Sequence, residues 1–194
     1  MKSLVIAVGL FLPSSASWPV SMDWTVNPAN GHEYAAFDSN RWTDAENIAI
    51  SEGGHLVTIN DAAENDWLFQ WLQNDTDPDV YKAWIGFYQL PGSAEPAGGW
   101  VWSSGEPVTY TNWQLSTGEP NNYQGQPEDF ALMYARQHDW DEIPSSWNDT
   151  LDVFPWYRVV GVVEKAPTPV PETSTLALFA LGLGMAWRFR RRKE

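Results

Sequence analysis

Thirteen tryptophans and no cysteine, spread over 194 residues, set the first limit on what this chain can fold into. A disulfide framework is impossible, so any compact unit must draw its stability from packed rings, from a bound metal, or from both. Tryptophan suits the first route because it buries a large area, but its indole N–H then needs a partner. The length allows one domain of ordinary size plus terminal extensions.

Both ends read as addresses. The opening, "MKSLVIAVGLFLPSSASW", has a lysine, an apolar run from Leu4 to Leu12 and small residues around Ala16. That is the layout of a secretory signal peptide over residues 1–17, cleaved after Ala16 or Ser17. A buried N-terminal strand is the alternative, since the run is too short for a membrane span. At the other end "APTPVP" forms a short, semi-rigid proline-rich spacer over 166–170. An uncharged stretch from Thr173 to Trp187 follows, then Arg188, Arg190, Arg191, Arg192 and Lys193. This stretch is near the lower limit for crossing a bilayer, and the basic cluster would stay on the cytoplasmic side.

Together the pieces over 171–194 resemble the PEP-CTERM sorting signal of Gram-negative bacteria. Pro171 and Glu172 match its short motif, while Thr173 departs from the usual second proline. The resemblance implies processing by an exosortase and transient membrane anchoring through the C-terminal apolar helix. It places the protein in the periplasm, the cell envelope or on the extracellular surface.

Residues 18–170 keep five basic side chains against 23 acidic ones, a balance of −18. Such a surface repels nucleic acid and anionic lipid and suits cations and neutral partners. Nucleic acid is therefore excluded as a partner.

The middle of the chain reads as α+β. "EYAAFD" is an early strand. Thr43 is placed to cap a helix over Asp44 to Ser51, with Glu46 completing a capping box and Gly53-Gly54 ending it. "HLVTI" reads as a brief β-branched strand. In "NDAAENDWLFQWLQ", Asn60 or Asp61 caps a second helix with Trp67, Leu68, Trp71 and Leu72 at helical spacing. Strand-like runs follow: "AWIGFY", "GGWVW", "VTYTNW", "FALMY" and "YRVVGVVE". The stretch from Pro91 to Gln126 is unusually loop-rich, which in a compact domain points to function.

The second half also gathers oxygen donors: Glu119, Asn121, Glu128, Asp129, Asn148 and Asp149. Calcium takes six to eight oxygen ligands from carboxylates, carbonyls and water, and this set offers both charged and neutral ones. Pro120 restricts how Glu119 and Asn121 point, and a cis peptide is open to it. The histidines, His32, His55 and His138, have no ligand spacing for a transition metal. Acidic loops are more often simply solvated, so composition alone leaves the site open.

The order of "GGHLVTI", "WIGF", "GGWVW", "TNW", "GEPNN", "PEDF" and "SSWNDT" resembles a C-type lectin-like domain. The match runs from about Asn30 to Lys165, within a domain taken as 24–165. The resemblance implies two helices with small antiparallel sheets and a long loop region. It also implies one calcium ion held by Glu119, Asn121, Glu128, Asn148 and Asp149, with a backbone oxygen of Asp149 joining them. Glu119, Asn121, Glu128 and Asn148 would also bind sugar. The Glu-Pro-Asn form goes with mannose- and glucose-type sugars, so a glycan or exopolysaccharide is the expected partner and no enzyme activity is expected.

Several positions depart from the family pattern. Ala49 and Val163 stand at one family disulfide, Phe130 and roughly Asp152 at the other; a disulfide is worth roughly 2 to 4 kcal/mol. The Glu119-to-Glu128 spacing is one residue longer than usual. Gln89 and Asn122 replace ligands of an auxiliary site, so one calcium is expected rather than two.

Two other classes remain. One is a non-catalytic interaction or matrix protein on a lectin scaffold, with calcium only structural. The other, ranked last, is a glycosidase using Glu119 and Glu128, or the carboxylates Asp139, Asp141 and Glu142 of "HDWDEI". Trp84, Trp100, Trp102, Trp113 and Trp147 read as core residues, and Tyr123 or Trp140 as exposed rings for a sugar. The N-x-T matches at Asn74 and Asn148 are incidental in an exported bacterial protein.

Overall fold

Alternation of apolar residues, period two in the strands, builds a sheet that is buried on both faces. The computed structural model describes residues 22–167. The expected signal peptide, Pro171, Glu172 and the apolar stretch 173–187 lie outside the described residues. Among the described residues no helix is long and apolar enough to cross a membrane.

The elements run in the order β1 (Thr25–Val26), β2 (Glu33–Asp38), α1 (Trp42–Ser51), β3 (His55–Leu56) and α2 (Ala62–Asp75). They continue with β4 (Lys82–Gln89), β5 (Trp100–Trp102), β6 (Phe130–Tyr134), β7 (Trp147–Thr150) and β8 (Val159–Lys165). The strands expected as small antiparallel sheets join into one network, ordered β1-β2-β8-β4-β6-β7, with β3 on β8 and β5 on β4. The parallel pairing of β4 with β8 makes the join, and the other pairings between named strands are antiparallel.

Side chains alternate between two cores because successive Cβ atoms leave a strand on opposite faces. Ala83, Ile85 and Phe87 of β4, Ala131 and Met133 of β6, and Val160 and Val162 of β8 face one core, with Leu68, Trp71 and Leu72 of α2. Trp84, Leu132, Val159 and Val163 face the other, with Trp42, Ala45 and Ala49 of α1. Gly161 sits where a Cβ would come within 2.7 Å of the Phe37 ring, so only glycine lets that ring approach β8.

Aromatic packing supplies cohesion in a chain that has no cysteine. Phe87 lies at the centre of a cluster with Trp100, Trp102, Trp113 and Trp147, ring centroids 4.4 to 5.8 Å away. Trp147 is fully buried, and its indole N–H donates to Asn65 Oδ1 at 2.8 Å. Ala49 and Val163 are both fully buried in the α1 core. Phe130 packs on Trp42 at 4.9 Å.

Several local expectations change. Helix α1 begins at Trp42, and Arg41 at its N-cap makes no side-chain cap bond. Asp152 does the capping from a distant loop, accepting from Thr43 N–H at 2.9 Å and Thr43 Oγ1 at 3.1 Å and pairing with Arg41. Glu46 turns away from the helix start to accept from Leu56 N–H at 2.9 Å and to meet His55 at 2.7 Å. In α2 the cap is Asp61, which accepts from Glu64 N–H, while Glu64 accepts from Asn60 N–H. "HLVTI" contributes only two ladder residues, and "VTYTNW" only one bridge, Trp113 to Trp147. The "WNDT" segment is a strand, β7.

Because Asp152 supplies both the helix cap and the Arg41 partner, Asp152→Ala is expected to lower stability by about 1 to 2 kcal/mol. A urea unfolding curve superimposable on the wild type would show that α1 does not depend on this cap.

Candidate functional site

The site forms where the long loop closes over β7. Strand β7 lies at one end of the sheet order, and an open edge is a liability that a covering loop removes. Trp147 N–H donates to Asn112 O at 2.8 Å and Gln114 N–H to Trp147 O at 2.9 Å, so the loop starts as a partner of the edge. Gly118, at φ 88°, then makes the left-handed turn that an L side chain would strain, and the Glu119–Pro120 peptide is cis.

Asp149 is completely buried, and its carboxylate binds the loop to the strand. Asn121 N–H donates to its two oxygens at 3.0 and 2.9 Å, and Asn122 N–H to Oδ2 at 3.0 Å. Glu119 lies beside the Asp149 carboxylate and accepts from Thr117 Oγ1 at 2.9 Å through one oxygen. Glu128 accepts from Tyr123 N–H at 2.6 Å, and its own N–H donates to Asn122 Oδ1 at 3.1 Å. Between Asn122 and Glu128 the loop makes a short 3₁₀ turn, Tyr123–Gly125, with Gln124 inside it and Asn122 at its N-cap both left-handed. Asn148 turns its amide onto the Asp149 carbonyl.

All five residues expected as ligands are thus brought together beside Asn148 and Asp149 in the middle of β7. Glu119, Asn121, Glu128 and Asn148 line a single cavity of about 600 Å³, and Asp149 lies behind them. Glu119 Oε2 and Asn121 Oδ1 are buried with no hydrogen-bond partner. An unpartnered buried oxygen is costly, so two together need an explanation. Burial pushes the Glu119 carboxyl up to about 8, the Asp149 and Glu128 charges adding to it. Burial also pushes Glu128 up to about 7, against the Tyr123 N–H and with help from Asp149. Three carboxyls crowded this closely favour a proton or a cation between them.

The donor set fits calcium: carboxylates and amide carbonyls only, with two oxygens unsatisfied. Among the described residues, however, no group of three or more His, Asp or Glu side chains is already arranged as a metal-ligating set. Here the Asp149 oxygens and Glu128 Oε2 accept from backbone N–H groups.

The replaced auxiliary ligands are also accounted for. Gln89 donates its amide N–H to Pro96 O and Gly98 O at 3.2 and 2.7 Å, and Asn122 donates to Glu95 Oε2 at 3.0 Å. Tyr123 and Trp140 are exposed, as expected of candidate platforms, and Trp156 is exposed as well.

Sequence reasoning missed the support on the opposite wall. Lys82 is buried and ion-paired with Glu142, its ammonium 4.5 Å from the Tyr134 ring centroid. Burial pulls the Lys82 ammonium below its usual range, while Glu142 opposes that shift. Glu142 also accepts from His138 N–H at 2.8 Å and Asp139 N–H at 3.2 Å, so this one pair shapes the 137–146 loop. Gln114 joins that loop from the other side, donating to Asp141 O and accepting from Ile143 N–H. Nothing local marks Lys82 in the sequence. Glu142 was visible only as one of three carboxylates in "HDWDEI".

Comparison with known proteins gives the family and the fold. The family described as "Lectin C-type domain" matches residues 38–150, and the chain belongs to that family. A PEP-CTERM protein-sorting motif matches residues 167–192, which implies export and association with the cell envelope. The chain is 27% identical to Lectin BRA-3 of Megabalanus rosa over 76% of its own length and 80% of that protein. It is 36% identical to the 30 kDa spicule matrix protein alpha of Strongylocentrotus purpuratus over 52% of its length, but spans only 30% of that relative. Among solved structures, the carbohydrate-recognition domain of cow CD23 superposes with a TM-score of 0.54 at 25% identity, covering 71% of this chain and 89% of that one.

Two outcomes are expected from these contacts. Lys82→Met should cost about 3 kcal/mol by leaving Glu142 buried and unpaired. Lys82→Met with Glu142→Gln, which removes the charge but keeps an acceptor for the His138 and Asp139 N–H groups, should recover part of it. A single-variant loss below about 1 kcal/mol in urea unfolding would show that the pair is solvated. The folded values of Glu119 and Glu128 lie above the ordinary 4.5. Their contribution is therefore full below pH 4.5 and lost as pH rises towards about 8. With a chelator present, wild type should lose stability relative to Glu119→Gln between pH 5 and 8; parallel pH profiles would contradict the shift.

Proposed function

We propose that the protein is a calcium-dependent, non-catalytic carbohydrate-binding protein of the cell envelope, with a preference for mannose- or glucose-type sugars. The observation that carries this reading is the pair of buried, unpartnered oxygens, Glu119 Oε2 and Asn121 Oδ1, among three crowded carboxyls. Glu119, Asn121, Glu128, Asn148 and Asp149 would hold one calcium ion, which when bound would offer spare coordination positions to two neighbouring hydroxyls of a pyranose.

The side chains do the rest. Each sugar hydroxyl has two lone pairs and one proton, so it can accept and donate at once. The Asn121 and Asn148 amides donate to hydroxyl oxygens, and the Glu119 and Glu128 carboxylates accept hydroxyl protons. Bonds to charged acceptors are stronger than neutral ones, which gives the carboxylates most of the directional energy. Asp149 positions the loop through the Asn121 and Asn122 amides and would reach the ion from behind the four residues that line the cavity. The family relationship and the likeness to a lectin over most of both chains support the glycan reading. CD23, a structural neighbour, was crystallised in the presence of a GlcNAc2Man3 oligosaccharide.

A second reading draws on the spicule matrix relative: a matrix protein in which calcium only stabilises the fold. Thermal unfolding and a glycan array separate the two. Carbohydrate binding predicts that calcium raises the melting temperature and that mannose-type glycans bind with calcium and are released by a chelator. Asn121→Asp should abolish that binding, and acid near pH 4 should weaken calcium affinity at least about tenfold by protonating the ligands. Calcium stabilisation without any calcium-dependent glycan signal would leave the matrix reading standing instead.

A further inference from the structure

The cavity at Glu119 and Asn148 is larger than one sugar ring requires. Its volume of about 600 Å³ lies among sites that enclose much larger ligands, roughly 300 to 1,000 Å³. Beyond the four residues of the proposed monosaccharide site, its lining includes Leu132, Thr150, Trp156 and Tyr157, with the carboxylates Asp139 and Asp141. We propose that this extension is a subsite for further units of a neutral oligosaccharide, so that the protein reads a chain rather than a terminal sugar. The proposal rests on the carbohydrate reading for the first unit.

Three observations converge on that occupant. This lining presents an aromatic face: Trp156 is 66% exposed, and Phe154 holds it edge-on at 5.3 Å. A pyranose has a face of C–H groups that packs on an indole while its hydroxyls point outward. Asp139 and Asp141 are both exposed and supply acceptors for those hydroxyls. The same carboxylates, beside Glu119 and Glu128, repel a polyanion, so a uronic-acid or phosphorylated chain is disfavoured.

The wall is also built before any ligand arrives. Lys82 holds Glu142, which accepts from His138 and Asp139 N–H. The His138 ring lies 4.1 Å from the Tyr157 ring. Gln114 Nε2 donates to Asp141 O at 2.8 Å. A chain entering this groove therefore orders little of the protein, which favours affinity.

Calorimetry on the full chain with calcium at neutral pH tests the proposal, using mannose, linear mannobiose and mannotetraose, and an oligouronate of equal length. The tetramer should bind about tenfold more tightly than mannose, the size of gain one aromatic contact supplies. The oligouronate should bind no better than mannose. Trp156→Ala should reduce the tetramer-to-monomer ratio below about threefold, and Trp156→Phe should keep a measurable part of it. Equal affinity for monomer and tetramer, or a ratio that survives Trp156→Ala, overturns the subsite and leaves the monosaccharide reading intact. Trp156-dependent tetramer binding that persists in chelator upholds the subsite and removes the calcium reading. No binding of either sugar overturns both.

Discussion

Asp149 is a buried carboxylate whose bonds join the two halves of the site. Its oxygens accept from the Asn121 and Asn122 backbone amides, so the cis-proline loop is pinned to β7 by the residue next to Asn148. An unpaired buried charge would be costly; N–H donors aimed at it offset much of that cost and fix the loop position. Asn121 reaches the cavity because its own N–H is held there. Alternation along β7 then sends Asn148 into the cavity while Asp149 faces the loop.

The strand that carries these residues is anchored by rings rather than by sulfur. Trp147, next to Asn148, is fully buried among Phe87, Trp102, Tyr110 and Trp113 and is bonded to Asn65 of α2. A disulfide acts largely on the unfolded chain, whereas this cluster acts through area buried in the folded one. The Ala49 and Val163 positions illustrate the exchange, two small apolar side chains buried in the core that α1 shares with β8. The Phe130 and Asp152 positions took separate tasks, one in an aromatic contact and the other at the start of α1.

Electrostatics runs consistently from surface to cavity. The chain carries a net charge of −14, and burial together with neighbouring carboxylates raises the proton affinity of Glu119 and Glu128. Such a centre takes a proton when no cation is at hand, which couples the site to pH and to divalent metal. The Lys82–Glu142 pair is the exception, a buried cation used to shape a wall.

Much was legible in the residues themselves. Helical spacing of Trp67, Leu68, Trp71 and Leu72 marked α2, and alternation in "EYAAFD" and "FALMY" marked β2 and β6, because local periodicity reports which face is buried. The motif order carried the family, and Glu119, Asn121, Glu128, Asn148 and Asp149 could be named before any coordinates. Three-dimensional contacts decided the rest. The start of α1 depends on Asp152, more than 100 residues away, and the Lys82–Glu142 pair joins a strand to a loop 60 residues on. The single sheet depends on β8 returning parallel to β4. Local composition encodes periodicity and motif, but the partner of a buried charge or of an open strand edge is chosen by where the chain returns in space, and no short stretch of sequence contains that.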